Sequence, residues 1–231
     1  MGSKNKRKRF DQNKTFPNVV QPEREELTAG KFLLQGKWRT HFFKNEHPII
    51  LELGCGKGEY SVYLAQQYPD KNFIGVDIKG ARFWAGAKAA LEQKLPNVAF
   101  LRTQIELIDL AFDENEIDDI WITFPDPQIK YKRTKHRLTN PTFLERYQKI
   151  LNPGGSVHLK TDSEYLHGYT LGLLEGKGWE VEYAHHDIYG NPHAPKHATA
   201  IKTYYETLFM AKGKRITYLR FRLPQPHGQN G

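Results

Sequence analysis

Short continuous apolar runs alternate along the chain with longer stretches of helical spacing. Ile49–Leu53 (IILEL) is a continuous apolar run stopped by Gly54, the pattern of a buried strand. Glu59–Tyr68 then places its apolar residues at helical spacing. Asn72–Asp77 predicts a second strand, the Ala-rich Gly80–Gln93 a helix, Val98–Leu101 a third strand and Asp118–Phe124 a fourth. Asn140 and Pro141 suit the cap and first residue of a helix running to Ile150. Gly154–Gly155 predicts a turn before a fifth strand at Ser156–Lys160, and Asp162–Gly176 predicts a helix. Trp179–His185 and Ile216–Arg222 supply two further strands. Strands spaced regularly by helices predict a doubly wound α/β fold: a mostly parallel, seven-stranded sheet with helices on both faces. Such sheets bind ligands at the carboxyl ends of their strands, so the residues after each strand are where chemistry is sought.

The charge balance adds an anionic partner. Lys and Arg number 34 against 26 Asp and Glu, a net charge of +8 in 231 residues. Apolar residues at 39% supply too much core material for a disordered chain. The single cysteine, Cys55, excludes a disulfide framework and a cysteine-based zinc site. No apolar run approaches the ~20 residues of a membrane span, and no apolar signal core follows the basic N-terminus. The expectation is a soluble cytoplasmic protein with no membrane partner, monomeric or homodimeric. Residues 1–16 carry five bases among the first nine positions and no acid there. They read as a disordered basic arm, either RNA-binding or solubilising. Residues 17–223 read as one domain and 224–231 as a frayed tail.

The most informative turn is Glu52-Leu53-Gly54-Cys55-Gly56-Lys57-Gly58, between the first strand and its helix. Alternating glycines permit a tight turn and close approach of a ligand to backbone. The spacing is neither the dinucleotide G-x-G-x-x-G nor a P-loop. An acid at Glu52 would repel a pyrophosphate and suits a cationic ligand. Asp77 ends the second strand, 25 positions after Glu52, where a carboxylate can accept both hydroxyls of a ribose. Cys55 reads as a small turn filler. This E-x-G-x-G-x-G followed by V-D resembles the class I S-adenosylmethionine-dependent methyltransferases, and that resemblance implies their Rossmann-like fold. In that fold the residue after the third strand, here Gln104, contacts the adenine.

After the fourth strand comes Phe124-Pro125-Asp126-Pro127-Gln128-Ile129, then Lys130–Arg137, in which five of eight residues are basic. Two prolines stiffen the backbone around Asp126. With these residues the chain resembles the bacterial tRNA (guanine-N7-)-methyltransferases. Their hallmark is F-P-D-P-W, then K and a basic R-x-x-K-R-R-like run; here Gln128 stands for the usual Trp and Ile129 for Pro or His. Lys160-Thr161-Asp162 and Thr203-Tyr204-Tyr205-Glu206, which resembles T-x-[FY]-E, are further matches. The resemblance implies that Glu52, Gly54, Gly56, Asp77, Gln104 and Asp126 bind S-adenosylmethionine, with Asp126 also catalytic. It implies substrate contacts from Lys130, Asp162, Thr203, Tyr204, Tyr205 and Glu206, and methylation of guanine N7 at position 46 of the tRNA variable loop.

Guanine N7 carries a lone pair and no proton, so the chemistry needs alignment and charge stabilisation and no general base. That suits Asp126 as orienter and electrostatic stabiliser. A methyltransferase acting on an exocyclic amine would place D-P-P-Y or N-P-P-Y here, and Gln128-Ile129 lacks both features. A non-catalytic RNA-binding subunit would tolerate loss of Glu52, Gly54, Gly56 or Asp77, all of which are present. His193 and His197 lie four apart, but Pro192 and Pro195 prevent a regular helix, so no metal site is expected. Asp187–Ala200 reads as a mobile loop near substrate or as a plain surface connection. Trp84, Trp121 and Trp179 read as core, Trp38 is undecided, and Tyr131 is the candidate for base stacking.

Overall fold

Eight strands form one sheet in the computed structural model, which describes residues 3–225. Across the sheet the order is β1 (Val19–Val20), β4 (Val98–Leu101), β3 (Asn72–Val76), β2 (Ile49–Leu53), β5 (Ile117–Thr123), β6 (Leu151–Thr161), β8 (Thr217–Arg222) and β7 (Val181–His185). All neighbours pair in parallel except β8, which runs antiparallel to β6 and β7. Strand order reverses between β2 and β5, so their carboxyl ends diverge into a crevice.

Side-chain alternation splits the core between the two faces. Ile49, Leu51 and Leu53 join one apolar cluster, with α6 (Pro141–Ile150) and α7 (Glu164–Gly176). Ile50 joins the other, with α3 (Glu59–Gln67) and α4 (Gly80–Glu92). Asn140 caps α6 as the sequence indicates, its Oδ1 accepting from Phe143 N at 3.1 Å.

Five features differ from the sequence reading. The eighth strand, β1, is two residues long, too short for any period to register, and pairs Val19 with Phe100 and Val20 with Leu101. The turn expected at Gly154–Gly155 lies inside β6, which starts at Leu151 and shifts register against β5. The Tyr-rich stretch after Thr203 forms a helix, α9 (Tyr204–Ala211), and Asp187–Ala200 contains a turn of helix, α8 (Lys196–Thr199), with Ala198 fully buried.

The fifth is a correction. Residues 3–13, expected to be a disordered arm, form helix α1 (Ser3–Asn13) packed on α4. Asn13 Nδ2 donates to Gly80 O at 2.9 Å, Arg9 sits 4.8 Å from the Trp84 ring, and Arg102 lies over Phe10. Three contacting residues on one helix face outweigh the charge block that suggested disorder. The expected tail lies, from residue 226 on, outside the described residues.

Trp38 is fully buried, stacked on Phe112 and donating Nε1 to Ala111 O at 3.0 Å. Trp121 is buried, whereas Trp84 and Trp179 are only half-buried. Among the described residues, no helix is long and apolar enough to cross a membrane.

Candidate active site

The crevice holds two adjoining cavities, of about 520 and 750 Å³, which share Gly54 in their walls. Glu52 lies at the floor of the first. Its Oε2 accepts from Ser61 N (3.1 Å) and Ser61 Oγ (2.6 Å), and its Oε1 accepts from Thr123 Oγ1 (2.7 Å). Burial outweighs these hydrogen bonds and pushes the Glu52 carboxyl up to about 7. A cation set against Glu52 would restore its charge. Gly54 adopts φ +76°, and a Cβ there would meet nothing within 4 Å, so its backbone faces open space. Gly58, by contrast, is a packing glycine: a Cβ would lie 2.4 Å from the Phe100 ring. Cys55 is buried, and burial beside Glu52 and Asp77 pushes its thiol up, which agrees with a turn filler.

Asp77 and Gln104 line the second cavity. Asp77 Oδ2 accepts from Gly56 N at 3.2 Å and Oδ1 from Lys79 N at 2.7 Å, tying the carboxylate to the glycine turn. Gln104 is exposed, and its Oε1 accepts from Arg24 Nη1 at 2.7 Å. Arg24 belongs to a short helix, α2 (Arg24–Thr28), that no sequence pattern announced. A buried carboxylate, an open glycine turn and a second acid at the end of the neighbouring strand fit a ligand carrying a cation beside vicinal hydroxyls, as S-adenosylmethionine does.

Asp126 is exposed at the rim of the first cavity, where Pro125, Pro127 and Ile129 also face in. Its loop is strained at both ends: Phe124 has φ +49° and Gln128 φ +47°, left-handed values that non-glycine residues adopt at a cost. Asp126 Oδ1 accepts from Gln128 N at 3.0 Å. Lys132, Arg133 and His136 line the second cavity, while Lys130 is exposed and lines neither. Tyr131 is 93% exposed. Arg137, counted by sequence among the surface bases, is 3% exposed.

Asp162, Thr203 and Tyr205 meet Asp126 and Glu52 around the first cavity. Asp162 Oδ2 is paired with Lys214 Nζ at 2.5 Å, and Lys214 lines the same cavity. Glu206 departs from its expected place. It is fully buried, its Oε1 lying 2.7 Å from Lys160 Nζ and accepting from Tyr189 Oη at 2.6 Å. With Thr203 it forms a capping box at the start of α9, so it presents Thr203 and Tyr205 to the cavity without facing it. Tyr204 also lies outside the cavity, with Lys57 Nζ 3.8 Å from its ring centre. His197, weighed as a metal ligand, instead hydrogen-bonds Tyr218 Oη at 3.1 Å and packs edge-on to Trp121.

Ser61, Thr123 and Lys214 belong to the site's framework and were missed by sequence, while Lys160 was noted only as part of a motif and not as the partner of Glu206. Thr123 was findable as the last residue of the strand before the FPDP loop. Ser61, inside a helix, carried no signal.

The family described as "Putative methyltransferase" matches residues 46–219. The tRNA (guanine-N(7)-)-methyltransferase of Christiangramia forsetii is 66% identical over 96% of this chain and 100% of that protein. That of Porphyromonas gingivalis is 50% identical over 92% of this chain and 87% of that protein. Among solved structures, one titled "Structure of an Antibiotic Related Methyltransferase" superposes with a TM-score of 0.59 at 17% identity, covering 89% of this chain and 96% of that one. That likeness concerns the fold.

Proposed function

The chain belongs to the tRNA (guanine-N(7)-)-methyltransferase family, and from that premise we propose that it transfers the methyl group of S-adenosylmethionine to guanine N7 in tRNA, at position 46 of the variable loop, in the cytoplasm. The observation that carries the reading is that Glu52, at the floor, and Asp126, at the rim, share one cavity at the sheet's switch point.

When bound, S-adenosylmethionine would supply its sulfonium methyl group to the N7 lone pair, the carbon–sulfur bond breaking to leave neutral S-adenosylhomocysteine and the positive charge on the guanine ring. Glu52 holds the cationic amino-acid end, Asp77 the ribose hydroxyls and Gln104 the adenine edge, with Gly54 and Gly56 giving backbone access. Asp126 accepts from the N1–H and N2–H₂ donors of guanine and stabilises the charge that develops on the ring. Thr203, Tyr205 and Asp162 bound the base from the opposite wall. Lys130, Lys132 and Arg133 contact phosphates, which offsets the cost of drawing the base from its stack. Glu206 and Tyr204 act on substrate through the placement of α9.

Incubation with labelled S-adenosylmethionine and unmodified tRNA, followed by nucleoside analysis and strand cleavage at the modified position, tests the reading. Label in 7-methylguanosine at position 46 supports it. Label in another nucleoside overturns the substrate assignment.

A further inference from the structure

Arg137 closes the basic run after the FPDP loop, yet it does not face solvent. Its Nε and Nη2 both donate to the carbonyl oxygen of Gln128, at 3.3 and 3.2 Å, and Nη2 also donates to Tyr165 Oη at 2.6 Å. The guanidinium lies 5.0 Å from the ring centre of Tyr165 and 4.4 Å from that of Tyr169. These tyrosines are four residues apart on one face of α7. Among the described residues, no carboxylate pairs with this buried cation. Its charge is met by two aromatic faces, a carbonyl and a phenol.

The peptide it grips matters for the chemistry. Gln128 holds a left-handed conformation at φ +47°, and its N–H donates to Asp126 Oδ1. A strained residue persists only where its surroundings over-determine it. Here the amide of Gln128 orients the Asp126 carboxylate, and the carbonyl of the same residue is anchored by Arg137. We propose that Arg137 is a positioning residue: it fixes the Gln128 backbone and through it aims Asp126, and it makes no contact with RNA. This rests on the reading of Asp126 as the group that meets guanine. It also accounts for Gln128 in place of the family's usual Trp, since this position acts through its backbone. A lysine cannot replace the arginine, because a single ammonium cannot fork onto the Gln128 carbonyl and donate to Tyr165 Oη while packing against both rings.

The test compares the wild type with Arg137→Lys, Arg137→Ala, Tyr165→Phe and Lys132→Ala in the full chain. Hydrogen exchange of the backbone amides of Asp126, Gln128, Ile129 and Lys130 is read first, because it requires no activity. Exchange there is expected to quicken about tenfold in Arg137→Lys, with the amides of β2 and β3 unchanged; unchanged exchange in the loop overturns the proposal. The single-turnover methylation rate is expected to fall about 100-fold, the effect of misplacing a reacting group by about 1 Å. Affinities for S-adenosylmethionine and tRNA should stay within about twofold, with an unaltered salt dependence. Ethylguanidinium added to Arg137→Ala should recover part of the rate. A wild-type rate in Arg137→Lys, or a lower salt slope matching that of Lys132→Ala, overturns the proposal and makes Arg137 a phosphate contact. If Arg137 variants fail to fold, Tyr165→Phe is expected to quicken loop exchange severalfold and slow transfer, and no change in either contradicts the anchor. If wild type forms no 7-methylguanosine, the substrate reading fails, while loop exchange still decides the anchoring.

Discussion

Lys160 Nζ lies 2.7 Å from Glu206 Oε1, and the two side chains are 1% and 0% exposed. Lys160 is the penultimate residue of β6, two positions before Asp162, and Glu206 sits in the first turn of α9. The pair therefore binds one wall of the candidate active site to the sheet, and Tyr189 adds a hydrogen bond from the 187–200 segment. Burial pulls the Lys160 ammonium below its usual range, and Glu206 opposes that shift.

Removing one partner strands a buried charge. Glu206→Gln and Lys160→Met are each expected to lose about 3–5 kcal/mol of stability, whereas Lys160→Met with Glu206→Leu should lose much less than the sum. Urea unfolding of the singles and the double measures this. An additive result would mean that the two side chains do not act as a pair.

Glu52 makes both cofactor binding and stability depend on pH. Its carboxyl sits at about 7 in the fold, above an ordinary value of 4.5. The folded chain thus holds a proton that the unfolded chain releases at lower pH. The contribution of Glu52 to stability is full below about pH 4.5 and declines as pH rises to about 7, by about 3 kcal/mol. Glu52→Gln should remove that decline and be the more stable protein at pH 8. A cationic ligand needs the charged form, so affinity for S-adenosylmethionine should weaken about tenfold per unit as pH falls below 7. Calorimetric titration across pH 5.5–8.5 checks this. In Glu52→Gln the affinity should be lower and flat with pH.

Lys132 and Arg133 stand at the mouth of the second cavity. Each change to Ala should reduce the slope of log affinity for tRNA against log salt by about 1, while cofactor affinity is unchanged. Filter binding at several salt concentrations reads the slope. An unchanged slope would remove these side chains from the phosphate footprint.

The strands and the glycine turn were legible because their cause is local. Ile49–Leu53 is buried on both faces, and Glu52-x-Gly54-x-Gly56-x-Gly58 carries its own geometry. Arg137 was illegible because its burial is decided by Tyr165 and Tyr169, about 30 residues further on. α1 was misread for a similar reason: five bases suggest solvent, but Phe10 and Asn13 find α4. Thr203–Glu206 had a local cause that went unread, since Thr-x-x-Glu is a capping box as well as a family motif. Arg24 was illegible for the same reason as Arg137, since its partner, the Gln104 side chain, lies 80 residues further on.

In the proposed mechanism Asp126 works as a fixed charge and no general base takes part. The most direct measurement is the single-turnover methylation rate at saturating tRNA and S-adenosylmethionine, from pH 6 to 9, for wild type and Asp126→Asn. The expected result is a flat wild-type profile, with Asp126→Asn slower by about 10²–10³-fold at every pH, the usual loss when one transition-state charge contact is removed. A wild-type rate that climbs about tenfold per pH unit would reveal a general base. An Asp126→Asn rate equal to wild type would remove Asp126 from the chemistry.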